Sequence, residues 1–148
     1  MSQTSAGASS KARNGGARPL VRPLSPHLQV WRWHVTMLGS ILHRASGVAL
    51  YAGALAVVAW LAALAAGPEW YARFAACASS PIGLLVWFGL TAAVFYHLAS
   101  GLRHLVWDLG FGLNPKTANL LTNLSLWFGV LGVVGFWAWM FISGKVAL

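Results

Sequence analysis

The chain alternates between long apolar stretches and short polar breaks. No charged residue occurs from Ala45 to Gly67 or from Thr117 to Gly144, and in Phe74 to Leu102 the one side chain that can become cationic is His97. A helix needs about 20 apolar residues to cross the hydrocarbon core of a bilayer. All three stretches are long enough. We therefore predict an all-α integral membrane protein with three transmembrane helices.

Glycine–proline, serine–proline and asparagine–proline pairs separate these stretches and mark the turns. The pairs are Gly67-Pro68, Ser80-Pro81 and Asn114-Pro115. The predicted helices cover about 36–66, 81–110 and 118–143, within a transmembrane domain of residues 36–145. Glu69, Trp70 and Tyr71 are expected in an interfacial loop between the first two helices.

Composition supports a membrane location. Hydrophobic residues make up 58% of the chain and charged residues 8%, which excludes an ordinary soluble globule. The single cysteine, Cys77, excludes an intrachain disulfide and a multi-cysteine metal site. The chain also lacks a flavin motif and a cysteine set for iron–sulfur clusters. It is therefore not expected to carry out flavin chemistry alone.

The basic residues predict the orientation of the helices. Ten lysines and arginines stand against two acids, and six of the ten precede position 45. Arg103 and Lys116 flank the loop after the second helix, whereas Arg73 and Lys145 fall on the other side. The positive-inside rule places the N-terminus inside and the C-terminus outside, with Arg103 as a positive-inside anchor. Because the basic residues are explained by the orientation of the chain in the membrane, nucleic-acid binding is not expected.

The N-terminal part differs in composition from the rest. Residues 1–18 are rich in Ser, Gly, Ala and basic residues, and are predicted to be a disordered tail. Residues 19–35 contain prolines at 19, 23 and 26 and are predicted to be an extended, interfacial segment. Trp31 and Trp33 suit the headgroup layer, where an amphipathic ring is half wet.

Two polar clusters interrupt the apolar helices. The first contains Ser40, His43, Arg44 and Gly47, and the second contains His97, Gly101, His104 and Asp108. Spacings of three, four and seven residues put each cluster on one helix face. Polar groups in lipid are costly and usually functional. His97 should lie about 10 Å deeper than His104, because seven helical residues separate them.

Such clusters suit more than one chemistry. Imidazole is a common axial ligand of haem iron, and cationic groups can pair with haem propionates. A bis-histidine haem would need its second ligand from another subunit. A quinone needs donors such as a hydroxyl and a guanidinium for its carbonyl oxygens.

Structural interpretations stay open at this point. A transmembrane histidine can simply hydrogen-bond a neighbouring helix, and Arg44 can snorkel to the headgroups. Asp108 can pair with Arg103 or His104, or contact a soluble partner.

Three blocks, in order, resemble a known family. They are Arg22-Pro-Leu-Ser-Pro-His-Leu-Gln29, Ser40-Ile-Leu-His-Arg-Ala-Ser-Gly47 and Tyr96-His-Leu-Ala-Ser-Gly-Leu-Arg-His-Leu-Val-Trp-Asp108. These match the pattern RPLSPHL, then S-x-x-H-R-x-S/T-G, then H-x-x-x-G-x-R-H-x-x-x-D. The chain thus resembles the cytochrome b membrane anchors of succinate dehydrogenase over roughly residues 20 to 145.

The resemblance implies specific site residues. His97 corresponds to an axial ligand of haem b, a cofactor shared with a second membrane anchor subunit. Ser40 and Arg44 correspond to residues that line a ubiquinone pocket. His43, Arg44 and His104 correspond to positions near the haem propionates.

The resemblance also implies partners and a location. The partners are the second anchor, an iron–sulfur subunit, which residues 22–29 would contact, and a flavoprotein subunit. The implied location is a bacterial inner membrane with the soluble partners on the cytoplasmic side, or the mitochondrial inner membrane in a eukaryote.

Two other functions are alternatives to a redox subunit. A purely structural anchor or assembly subunit would use its polar groups only between helices. A transporter or proton-conducting protein would need ionisable groups along the full depth of the membrane, and the outer half of the helices offers no strong candidate.

Overall fold

The computed structural model describes Ser25 and residues 30–145. Within these residues every regular element is helical: α1 (Val35–Ala66), α2 (Pro68–Ala78), α3 (Pro81–Asp108) and α4 (Pro115–Ile142). Three of them, α1, α3 and α4, are long and apolar enough to cross a membrane. The prediction of an all-α protein with three membrane-spanning helices is confirmed.

The predicted breaks coincide with the ends of the helices. Each of α2, α3 and α4 begins with the proline of its break, where a missing N–H costs nothing. Ser80 Oγ accepts from the N–H of Gly83 at 3.1 Å, and Asn114 Oδ1 accepts from the N–H of Lys116 at 3.0 Å. These two caps satisfy backbone donors at the starts of α3 and α4. They also explain why α4 begins at Pro115, earlier than the expected position 118.

The segment expected to be an interfacial loop is helical instead. Glu69 lies in the first turn of α2 and pairs with Arg73 at 2.6 Å, one helical turn later. The guanidinium of Arg73 also lies over the ring of Trp70, at 5.1 Å. These local contacts, with the proline at the start, stabilise a short helix where an interfacial composition alone suggested a loop.

Small residues bring the membrane-spanning helices together. A Cβ at Gly132 would lie 2.5 Å from Phe95 Cδ1, and a Cβ at Gly53 would lie 2.9 Å from Leu90 Cδ2. Glycines thus admit large α3 side chains into the faces of α1 and α4. The helix α3 contacts each of the other three and packs most extensively against α4.

The predictions for the N-terminal part fall mostly outside the described residues. This applies to the tail, 1–18, and to nearly all of 19–29. Ser25 and residues 30–34 are irregular and exposed. The predicted contact of this segment with soluble subunits stays a prediction, as does the orientation of the termini.

Candidate functional site

The histidines of the two predicted clusters meet between α1 and α3. The ring of His43 stacks on His97, with centroids 4.0 Å apart and an interplanar angle of 13°. On its other face it stacks on His104, at 4.8 Å and 26°. The three imidazoles therefore form a column, with His43 from α1 between two histidines of α3.

Two residues of α1 hold His97 at the end of this column. Ser46 Oγ lies 3.0 Å from His97 Nδ1. A Cβ at Gly47 would lie 3.2 Å from His97 Cε1, so only glycine leaves the imidazole its full space. Nδ1 is thus engaged within the chain, and Nε2 remains for a ligand.

His104 is held by its own helix. Its Nδ1 lies 2.7 Å from the carbonyl oxygen of Ser100. A carbonyl only accepts, so Nδ1 is the donor in this bond. The edge of the ring meets Trp107, with centroids 5.3 Å apart. In the middle of the column, His43 Nδ1 is buried with no hydrogen-bond partner among the described residues.

Ser40 and Arg44 are not part of the imidazole column. Ser40 is half-buried and Arg44 is exposed, and neither makes a hydrogen bond within the described part of the chain. Gly39, buried against α3, marks the face of α1 that packs inward. Arg44 is five residues further on, about 140° round the helix, so it points away from α3.

Arg103 lies inside the helix bundle. Its side chain is 4% exposed. Nη1 donates to Thr122 Oγ1 at 2.7 Å, and Nη2 donates to Ser100 Oγ at 3.1 Å. The guanidinium also lies over the ring of Trp107, at 4.7 Å. The expected role of Arg103 as a positive-inside anchor stays a prediction.

All three membrane-spanning helices meet around this arginine. The hydroxyl of Tyr96 donates to the carbonyl oxygen of Gly39 at 2.7 Å, which joins α3 to α1. A Cβ at Gly39 would lie 2.6 Å from Thr122 Cγ2 and 3.0 Å from Arg103 Nη1. The backbone of α1, the guanidinium of α3 and the threonine of α4 thus share one tightly packed level.

Asp108 does not make the ion pair that the sequence suggested as one alternative. Among the described residues the ion pair within 4.0 Å joins Arg73 and Glu69, and Asp108 is exposed. Arg103 instead donates from Nη1 and Nη2 to neutral hydroxyls, while its Nε is buried without a hydrogen-bond partner among the described residues.

Sequence reasoning missed four residues of the site: Ser46, Ser100, Arg103 and Thr122. On α3 a signal was available, because Tyr96, Ser100 and Arg103 follow one another at four and three residues and so share a face. Ser46 occupies the S/T position of the second matched block, which marked it without giving it a role. Thr122 lies near other small polar residues of its helix, and nothing in its spacing distinguishes it from a packing residue.

The donor set fits a haem. His97 offers the ring nitrogen Nε2 to a metal. Its other ring nitrogen, Nδ1, is already hydrogen-bonded, as is usual for metal-ligating histidines. One turn along α3, a Cβ at Gly101 would meet no atom within 4 Å, so open space lies beside the candidate ligand. The polar side chains of His43, Arg44 and His104 lie on neighbouring turns.

Comparison with known proteins identifies a family of membrane subunits that the chain resembles. Residues 18–141 match the family described as succinate dehydrogenase/fumarate reductase transmembrane subunit. The chain is 40% identical over 99 residues to the succinate dehydrogenase cytochrome b556 subunit of Rickettsia felis, which covers 67% of this chain and 77% of the relative. It is 41% identical over 98 residues to the subunit of that name from Paracoccus denitrificans, covering 66% and 75%.

A mitochondrial protein is also similar. The chain is 40% identical over 118 residues to the mitochondrial succinate dehydrogenase cytochrome b560 subunit of Sus scrofa, which covers 77% of this chain and 69% of the relative. With three membrane-spanning helices, the matched blocks in order and a family match over most of its length, the chain belongs to the family of succinate dehydrogenase/fumarate reductase transmembrane subunits.

Proposed function

We propose that the chain is a haem b- and ubiquinone-binding membrane anchor subunit of succinate dehydrogenase, and that it helps to pass electrons from an iron–sulfur subunit to ubiquinone. The observation that carries the proposal is the imidazole column, in which His97 is hydrogen-bonded at Nδ1 and makes no hydrogen bond at Nε2 with the described residues. The cytochrome b names of the relatives support the same cofactor.

In the proposal His97 is the axial ligand of haem b. The second ligand comes from another membrane anchor subunit. His43, Arg44 and His104 hold the propionates, because their donors can form charge-assisted hydrogen bonds with carboxylates. When bound, the haem supplies a one-electron carrier. The apolar helix faces around His97 keep water away from the ligand nitrogen.

Ser40 and Arg44 are proposed to bind ubiquinone. A hydroxyl and a guanidinium can donate to the two carbonyl oxygens of a quinone, and neither side chain is engaged by described residues of this chain. Arg44 points away from α3, so the pocket is completed by the partner subunits in this proposal. We infer further that an iron–sulfur subunit and a flavoprotein subunit complete the enzyme.

The haem proposal is tested by the optical spectrum of the purified complex. His97→Ala should remove or shift the reducible b-type band, because the ligand nitrogen is lost. His34→Ala, at the exposed start of α1, is the matched control and should leave the band unchanged. An unchanged band in His97→Ala, at normal yield of the complex, would exclude His97 as the ligand.

The quinone proposal is tested by two activities measured side by side. Arg44→Ala should lower succinate:quinone turnover at least tenfold, while reduction of an artificial dye by succinate survives. Arg73→Ala, an exposed arginine on α2, should change neither activity. Equal loss of both activities in Arg44→Ala would indicate an assembly defect and would count against a quinone role.

A purely structural anchor is the alternative function. The hydrogen bonds of Arg103 with Thr122 and Ser100 are internal to the chain and need no cofactor. This alternative predicts a wild-type complex without a reducible b-type band. It also predicts that variants of the imidazole column alter only the yield of the complex.

A further inference from the structure

Ser46 supplies the hydrogen bond at His97 Nδ1, and the chemistry of its hydroxyl takes the proposed function one step further. It lies on α1 between His43 and Gly47, and its side chain is buried, with 8% exposed. Its Oγ lies 2.9 Å from the carbonyl oxygen of His43 and 3.0 Å from Nδ1 of His97. The first contact is within one helix turn, and the second joins α1 to α3.

The protons of these two contacts follow from hydrogen-bond chemistry. A serine hydroxyl has one proton to donate, and a backbone carbonyl can only accept. Both contacts are satisfied together only when the hydroxyl donates to the carbonyl of His43 and accepts from Nδ1–H of His97. The reverse orientation leaves the carbonyl contact without a proton and puts the ring proton on Nε2.

This arrangement determines which tautomer His97 adopts. With its proton on Nδ1, the imidazole presents the lone pair of Nε2, which is the form that ligates a metal. The plane of the ring is fixed as well, by stacking on His43 within 13° and by the space that Gly47 leaves. Ser46 thus sets both the protonation and the direction of the ring.

We propose that Ser46 is a positioning residue for haem b: it holds His97 in the Nδ1–H tautomer and aims Nε2 at the iron. The inference rests on the proposed function, in which His97 is the axial ligand. Partners at the second ring nitrogen orient a ligating histidine and raise its basicity, and their loss typically changes metal affinity or activity by about 10- to 100-fold.

The expected effect is on the redox equilibrium of the haem. A hydrogen bond from Nδ1–H to an oxygen makes the imidazole a stronger electron donor, which favours the ferric state. Ser46→Ala should therefore raise the ratio of ferrous to ferric haem at a fixed ambient potential. We expect about a tenfold change, which corresponds to about 59 mV for a one-electron couple.

The experiment compares three variants of the whole complex. Ser46→Ala removes the hydroxyl. Ser46→Thr keeps it and should restore the wild-type value. Ser125→Ala is the matched control, because Ser125 is likewise a buried serine that donates to a carbonyl of its own helix, at 2.9 Å. It also lies 3.4 Å from the carbonyl oxygen of Ala99 on α3, and it makes no hydrogen bond with a histidine among the described residues.

Two readouts are measured on each variant. Potentiometric titration of the b-type band gives the ferrous-to-ferric ratio. Pulsed electron paramagnetic resonance of the ferric haem gives the quadrupole coupling of the remote imidazole nitrogen, which responds to the hydrogen bond at Nδ1. Support requires that both readouts change in Ser46→Ala, and that both stay at wild-type values in Ser46→Thr and Ser125→Ala.

Other outcomes overturn the inference. Wild-type readouts in Ser46→Ala would show that the hydroxyl does not act on His97, and equal changes in Ser125→Ala would show a general packing effect. If the complex with Ser46→Ala does not assemble, the quadrupole coupling measured in the wild-type complex tests the proposal. A coupling typical of an imidazole without a hydrogen bond at Nδ1 contradicts it. Absence of any b-type band from the wild-type complex would instead remove the proposed function itself.

Discussion

At the scale of single residues, Arg103 is unusual because its charged guanidinium is buried among the helices. An arginine inside a membrane bundle is costly unless its donors are satisfied. Here two hydroxyls accept from Nη1 and Nη2, and the face of Trp107 covers the planar group, while Nε has no hydrogen-bond partner among the described residues. Among the described residues no carboxylate lies within 4.0 Å of the guanidinium, so its hydrogen bonds go to neutral groups.

The contribution of the bond between Arg103 and Thr122 can be measured with Thr122→Val. We expect a loss of about 1–3 kcal/mol in unfolding free energy, because a buried charged donor is left without its acceptor. Thermal unfolding of the purified protein in detergent is the measurement.

Thr91→Val provides the control for this change. Like Thr122, Thr91 donates to the carbonyl four residues earlier in its helix, at 2.7 Å for Thr91 and 2.8 Å for Thr122. Only Thr122 also accepts from Arg103. Equal destabilisation by the two substitutions would mean that the arginine contact contributes nothing.

The candidate site could be predicted from the sequence only as far as one helix determines it. Spacing placed His43 and Arg44 near each other on α1, and His97 and His104 on one face of α3. That His43 inserts between the two other rings depends on how α1 crosses α3, which spacing does not give. The burial of Arg103 was missed for the same reason, because its acceptor Thr122 belongs to α4.

At the scale of elements, the junction between α2 and α3 depends on one small residue. Gly83 lies in the first turn of α3, and its N–H is capped by Ser80. A Cβ at Gly83 would clash with the carbonyl oxygens of Cys77 and Ala78, which end α2. The angle between the two helices is therefore possible only without a side chain at this position.

Gly83→Ala tests this junction. We expect a loss of about 1–3 kcal/mol in unfolding free energy, as for an overpacked site, because the clashing atoms are backbone and cannot rotate away. Gly89→Ala in the same helix is the control. A Cβ there meets no atom within 4 Å, so unchanged or slightly higher thermal stability is expected. Equal stability of both variants would contradict the close approach.

The elements themselves were largely predictable, and the exception is informative. Runs free of charge and proline-marked breaks predicted α1, α3 and α4, because length and apolarity decide whether a helix can span a bilayer. The short helix α2 was missed because it is stabilised by contacts among Glu69, Trp70 and Arg73. An interfacial composition does not distinguish such a helix from a loop.

At the scale of the whole molecule, the chain buries small and polar side chains and leaves its large apolar ones outside. Within the most apolar window of α1, none of the residues is buried in the chain. In a bilayer those side chains face lipid or another membrane subunit. The described helices therefore have a surface suited to a second anchor, in line with the proposed function.

The orientation of the chain can be tested with its own cysteine. Cys77 is the single cysteine and is exposed on α2, which links one end of α1 to α3. If the N-terminus is inside, a membrane-impermeant maleimide added to intact spheroplasts should label Cys77. Cys77→Ser is the control for background labelling. Labelling only after the membrane is opened would show the opposite orientation. In that case alkaline phosphatase fused to the C-terminus should be inactive.

The internal position of Arg103 has a consequence for biogenesis. Arg103 donates to Thr122 of α4, which follows α3 along the chain, so this acceptor is absent until α4 has been synthesised. The closed packing around the guanidinium therefore depends on completion of the third membrane-spanning helix.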